Sequence, residues 1–277
     1  MHERPPSPGK RAFRRWRLAA LAAVLAVVAA WAAREEIRRR RRASWRDTLE
    51  VAVVLLSSTP GLDSAPWERG LSDLAARLQA ERERYLGPGA APFRFALVGP
   101  VAFEGRFPET PSGDGPVGRL LHAIAILRLT RELDSAAEID ARAFDVRAYV
   151  LSDPEGPAGA QAFAEGQAAF RGEVALVRAS RGGDLCPALV ALGHELLHTA
   201  GATDKYDAAG HARAPEGLAE PERQPPYPQR FAEWMVGEVA TGPGGGRLPS
   251  SLDEVRVGPA TAREIGWSGH APRGEIR

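Results

Sequence analysis

Two histidines four residues apart stand in the stretch His194-Glu195-Leu196-Leu197-His198. On a helix, positions i and i+4 project from one face a single turn apart. Both imidazoles can then reach one cation at the ~2.0–2.1 Å of a Zn–N bond. Glu195 follows the first histidine, so its carboxylate is directed at a water beside the cation without binding the cation itself. There it serves as general base to the water and then as acid to a leaving amine. One Zn²⁺ in that place lowers the pKa of the water toward about 7 and polarises the carbonyl under attack. Leu192, Leu196 and Leu197 supply the apolar side that ties the helix to a core.

A catalytic zinc takes three protein ligands and keeps a fourth position open. Gly201 lies three residues past His198, where a helix can end in a left-handed turn and redirect the chain. Asp204 lies three further on, and Asp207 and His211 compete with it for the third ligand position. Spacing favours Asp204, because the return path is shortest. The bland alternative is a structural helix whose histidines are satisfied by core or solvent partners. Lys205, one of only two lysines against 34 arginines, reads as a solvated loop charge, with an ion-pair partner of Asp204 as the rival reading. Cys186 reads as a small apolar residue at the helix start, about two turns from the first histidine, and not as a ligand or an inhibitory thiolate. His122 reads as packed among apolar neighbours, and His211 and His270 fall in loops.

The pattern HExxHxxGxxD, with Tyr206 two residues later, resembles the metzincin clan of zinc peptidases, and within it the snapalysin-like branch in which aspartate replaces the usual third histidine. The resemblance is specific over 194–206, looser at 232–236 and 258–267, architectural before 185, and absent from 1–46. It implies a zinc metallopeptidase, of the endopeptidase kind, with His194, His198 and Asp204 on the metal and Glu195 catalytic. It also implies a Met-turn beneath the metal, for which Met235 in Ala232-Glu233-Trp234-Met235 is the candidate; plain core filler is the rival reading. Tyr206 is a candidate donor to the oxyanion of the tetrahedral intermediate, with a surface loop tyrosine as its rival. The substrate would be a protein or peptide lying extended along an edge strand, and residues 172–180 are a candidate strand near the cleft. Two other functions stay open: a non-catalytic, membrane-tethered binding protein, and a zinc hydrolase of a non-peptide substrate. The intact Glu195 argues against the first.

The elements that must hold these residues alternate in type. Val51–Leu56 is a short β-branched run ended by a Ser-Ser-Thr-Pro-Gly turn. Leu71, Leu74, Ala75 and Leu78 recur at helical spacing up to Tyr85. Phe93–Val98 is a second strand, expected to stop at Gly99-Pro100. A loop rich in Pro and Gly covers 104–118, and Leu120–Leu133 is expected to be helical. Val146–Leu151 and Val174–Val177 are further strands. Cys186–Thr199 is the active helix, with Asp184 as its expected N-cap. Residues 204–229 lack apolar periodicity and read as a long surface excursion. A short apolar piece, Phe231–Val239, a Gly-rich turn at 242–246 and a helix over Gly258–Ile265 close the chain. Strands interleaved with helices predict an α/β (α+β) domain over 47–277: a twisted sheet with the active-site helix, then an irregular C-terminal part ending in a helix.

Charge is distributed unevenly. Residues 1–46 carry 13 Lys/Arg against 3 Asp/Glu, about +10, while the remainder has 23 against 32, about −9. The main domain thus lacks the basic surface that nucleic-acid binding needs. The single cysteine excludes an intramolecular disulfide. Leu18–Ala33 is uncharged, flanked by arginines, with Trp16 and Trp31 near its ends, where amphipathic rings favour a membrane interface. An uncleaved anchor is the preferred reading, with the Arg38–Arg42 run against anionic lipid. A signal peptide cleaved near Ala30-Trp31-Ala32, giving a secreted protein, is the alternative. With the anchor, the resemblance implies an extracytoplasmic catalytic domain.

Overall fold

The computed structural model describes residues 8–108, 115–153, 173–180 and 184–268. Chain contacts divide it into Met1–Arg41 and Arg42–Arg277. The first unit is dominated by α1 (Pro8–Arg42), on which the side chains of Leu18, Leu21, Val24, Leu25, Val27 and Val28 are exposed. Sixteen uncharged residues at 1.5 Å rise cover about 24 Å, short of a ~30 Å hydrocarbon core. Among the described residues, no helix is long and apolar enough to cross a membrane.

The second unit is an α/β domain on a four-stranded sheet. Its strands are β1 (Leu49–Ser57), β2 (Phe93–Ala102), β3 (Val146–Asp153) and β4 (Val174–Ser180). They lie in the order β2-β1-β3-β4, and every pairing is parallel. A parallel sheet is covered on both faces, so its central strand reads as a continuous apolar run; Val51 to Leu56 are all fully buried. The pleat sorts them by period two. Val51, Val53 and Leu55 join Val150 and Val177 on one face, against α2 (Ala65–Leu86) and α4 (Cys186–Ala200). Val54 and Leu56 join Tyr149, Leu151 and Leu176 on the other, against Ile126 and Leu133 of α3 (Pro116–Ala136). Each such aliphatic side chain contributes roughly 1.5–3 kcal/mol by leaving water.

Three boundaries differ from expectation. β2 does not stop at Gly99-Pro100 but runs on to Ala102 through a register shift opposite Val54–Leu56. β2 is the terminal strand of the sheet, and an edge position tolerates a residue without an N–H. A Cβ on Gly99 would stand 2.7 Å from the Leu55 carbonyl, and its φ is +102°. The N-cap of α4 is Leu185, not Asp184; Asp184 sits one residue earlier and accepts the Cys186 amide at 2.9 Å. The domain also takes in residues before 47. Trp45 is buried, stacks edge-on against Trp267 at 5.3 Å, and donates its indole N–H to the Ile265 carbonyl.

Beyond α4 the chain is irregular, as expected, but less of it is surface than the sequence suggests. Within 204–229, Lys205, Leu218, Ala219 and Gln229 are buried. There follow β5 (Ala232–Glu233), the hairpin β6 (Val239–Gly242) and β7 (Gly245–Arg247), then β8 (Val255–Arg256), parallel to β5, and α5 (Pro259–Glu264). The 104–118 loop lies partly, and His270 wholly, outside the described residues.

Candidate metal centre

α4 carries its apolar side into the core through Leu189, Leu192, Leu196 and Leu197, which turns His194 and His198 to the opposite side, each only partly covered. Their ring centroids are 4.5 Å apart. The helix ends at Gly201, whose φ of +108° is left-handed. The Gly201 amide donates to the His198 carbonyl and the Ala202 amide to the Leu197 carbonyl, the paired bonds of a Schellman closure. That closure swings the Ala202 carbonyl under His198, 2.8 Å from Nδ1. His194 Nδ1 meets the Trp234 carbonyl at 3.2 Å. A carbonyl only accepts, so each Nδ1 carries the proton and each Nε2 presents a lone pair.

The two Nε2 atoms converge on one oxygen of Asp204, at 3.2 Å from His194 and 3.1 Å from His198. In this tautomer three acceptors face a single point with no proton among them. A cation resolves that conflict, and two imidazole nitrogens with one carboxylate oxygen is a donor set that suits zinc. Without a cation the conflict is resolved by protons. The imidazoles beside Asp204 hold its carboxyl far below the usual carboxylate range, against the effect of burial. Burial works to lower the pKa of His198, but Asp204, the Ala202 carbonyl and Glu195 outweigh it and raise it.

Ligand atoms of His194, Glu195 and His198 also lie within 4.8 Å of one another, so a second carboxylate borders the same point. Glu195 Oε1 is 3.9 Å from His194 Nε2, farther than Asp204. Glu195 is almost fully buried, whereas Asp204 is about half exposed. Tyr206 stands beside the centre with its ring 6.4 Å from that of His194. Burial first, and then the negative charge of Asp204, push its pKa up to about 12.

The segment Glu233–Gly237 turns tightly under the histidines: the Val236 and Gly237 amides both donate to the Glu233 carbonyl. Met235 is fully buried there, and its carbonyl accepts the Lys205 amide at 3.1 Å. Trp234 presses its indole on α4 and donates to the Val190 carbonyl at 2.9 Å. A Cβ on Gly193 would overlap that ring, so glycine immediately before His194 is what admits Trp234. Glu233 is buried and accepts from the Met235 amide, the Gly258 amide and the Thr261 hydroxyl. These bonds tie the turn to α5.

Of the competing third ligands, Asp207 and His211 are placed elsewhere. The Asp207 carboxylate caps the Ala209 and His211 amides in its own loop, and His211 Nδ1 faces Glu238 at 3.4 Å. The Cys186 thiol is buried against the Pro249 carbonyl, and burial pushes its pKa up to about 11, which keeps it protonated. Lys205 departs from expectation. It is no solvated charge but a buried ammonium, paired with Glu264. One signal pointed to it: it is one of only two lysines in a chain with 34 arginines, and it adjoins Asp204. Nothing in the sequence pointed to Glu264. Neither a scan against protein-family models nor a search of curated proteins yields a match to this chain.

Proposed function

We propose that this protein is a zinc-dependent peptidase in which His194, His198 and Asp204 hold the metal and Glu195 is the general base. The observation that supports it is the convergence of two Nε2 atoms on one Asp204 oxygen, with each Nδ1 beside a backbone carbonyl. When bound there, zinc supplies Lewis acidity toward a water and a scissile carbonyl. Glu195, buried beside His194, takes the proton of the attacking water and hands it to the leaving amine. Tyr206, with a hydroxyl that stays protonated through the neutral range, donates to the developing oxyanion. Met235 is assigned to the Met-turn, as the buried floor whose backbone meets Lys205.

The exposed apolar side chains of α1 support a membrane contact for the N-terminal segment; an extracytoplasmic catalytic domain rests on the metzincin resemblance alone. Sedimentation of the natural protein with membranes tests this; a mature N-terminus beginning after Ala32 or Ala33 would replace it with a secreted form.

The test of the activity is metal analysis of the purified protein alongside digestion of a peptide library, with Glu195→Gln as control. One zinc per chain, cleavage by the wild type and none by the variant are expected. A zinc-free wild type, or cleavage that survives Glu195→Gln, overturns the reading.

A further inference from the structure

Resting on the zinc reading above, we infer that Lys205 and Glu264 form a clamp that holds Asp204 in position to ligate the metal. The two histidines are placed by helix register, with the Trp234 and Ala202 carbonyls on their Nδ1 atoms. Asp204 lies past the helix end, outside any regular element, with its side chain about half exposed. A carboxylate so placed keeps its rotamer only if the chain on either side of it is fixed.

Both neighbours of Asp204 are fixed, and by the same distant residue. Glu264 Oε2 accepts the Thr203 amide at 2.8 Å and the Lys205 ammonium at 2.6 Å, while Oε1 accepts the Thr203 hydroxyl at 2.9 Å. Lys205 Nζ donates also to the Thr203 carbonyl and to the Thr203 hydroxyl oxygen, each at 2.7 Å. An ammonium has three protons, and all three are used. Lys205 is only 2% exposed. A buried cation is retained only where pairing and hydrogen bonds offset its desolvation, and removing one partner is far costlier than the pair is worth. Its backbone is held too: the amide donates to the Met235 carbonyl, and its own carbonyl accepts the Arg213 amide at 2.8 Å. Gly217 packs so closely on that carbonyl that a Cβ would overlap it. Lys205 and Glu264 touch neither the metal position nor a substrate; they are positioning residues, and they act by removing the freedom of Asp204 to turn away. Ligands held in place by the groups behind them typically lose about 10–100-fold in metal affinity when that support goes.

The experiment measures zinc dissociation constants of the full chain by chelator competition, with the melting point of the zinc-free protein and the visible spectrum of its cobalt(II) form. Glu264→Gln and Thr203→Ala are compared with Asp204→Asn and with Leu133→Ala, which opens a cavity under α3 on the other face of the sheet, away from Thr203, Lys205 and α5. Glu264→Gln is expected to weaken zinc by about 10–100-fold and to shift the cobalt spectrum toward that of Asp204→Asn. Thr203→Ala should follow to a lesser degree. Leu133→Ala should lower the melting point yet bind zinc within about threefold of wild type. Should Glu264→Gln and Thr203→Ala both bind zinc like wild type while Asp204→Asn does not, the clamp is wrong and the zinc reading stands. The clamp fails equally if Leu133→Ala weakens zinc as much as Glu264→Gln, since stability alone then accounts for the loss. A wild type that binds no zinc removes both.

Discussion

The two sides of the candidate centre are built in opposite ways. His194, Glu195 and His198 lie on a fifteen-residue helix, Cys186–Ala200, whose leucines are buried, and their spacing comes from helix geometry alone. Asp204 lies on irregular chain, and its neighbours Thr203 and Lys205 are bonded to Glu264 and Met235, far along the sequence, and to Arg213 nearer by. Local rules set the spacing of the first side, with one distant contact from the Trp234 carbonyl to His194, while the second depends throughout on the completed fold. The contrast predicts that mutations on the helix side act on chemistry and ligation directly, and those on the loop side act through geometry.

The largest effect should come from Glu195→Gln, a change of one functional group in a buried position. Turnover is expected to fall by at least the 10²–10⁴-fold typical of general-base removal, with zinc content unchanged in the same preparation. His198→Ala should abolish zinc binding altogether, read by metal analysis after dialysis, because the helix side offers no second imidazole at that register.

Gly193→Ala sharpens the comparison from the helix side. The new methyl group meets the Trp234 indole, and overpacking of this kind costs about 1–3 kcal/mol. We expect a lowered melting temperature and a blue or red shift in tryptophan emission, with zinc affinity reduced because the Trp234 carbonyl that orients His194 moves. Gly201→Ala tests the joint between the two sides. A left-handed φ of +108° in an L-residue costs roughly 1–2 kcal/mol. Its destabilisation should be measurable by urea titration and smaller than that of Gly193→Ala.

A further prediction separates the sides by pH. Burial raises the pKa of Glu264, but Lys205 and Thr203 outweigh it, and the net shift is downward. A depressed carboxylate contributes stability that is present above its unfolded pKa and lost as pH falls through the folded value. The stability gap between wild type and Glu264→Gln should therefore be full at neutral pH and narrow as pH drops below about 4.3, as followed by thermal melts across pH 3–7. The smallest effects belong to Asp207→Ala and His211→Ala, whose zinc content should match wild type; loss of zinc from His211→Ala would break the assignment of Asp204.

How far the sequence could be read follows the same division. The strands and helices were legible because their apolar periods are local, as in Val51–Leu56 and Cys186–Thr199, and both occur with boundaries within a few residues of those expected. The grouping of His194 and His198 followed from i, i+4 spacing. Gly99-Pro100 misled because sequence does not say that β2 is an edge strand, where proline is harmless. Asp184 misled because its side chain reaches the Cys186 amide from one residue before the cap. Lys205 was misjudged because its partner lies 59 positions away, beyond any pattern of spacing. The 204–229 excursion looked like surface because its buried members, Leu218 and Gln229 among them, follow no period.

The Glu264 contacts also bear on the order in which the protein comes into being. During synthesis the emerging chain exposes His194 and His198 well before residue 264 has been made. Domains generally fold as units while N-terminal parts lead, so a nascent chain ending near residue 204 carries all three donors but not the bonds from Glu264 to Thr203 and Lys205. On the proposed zinc reading, selective metal loading would then belong to the finished domain and not to the nascent one. A stalled or clipped chain lacking α5 would still display the helix motif, yet it would take up zinc weakly and give it up readily.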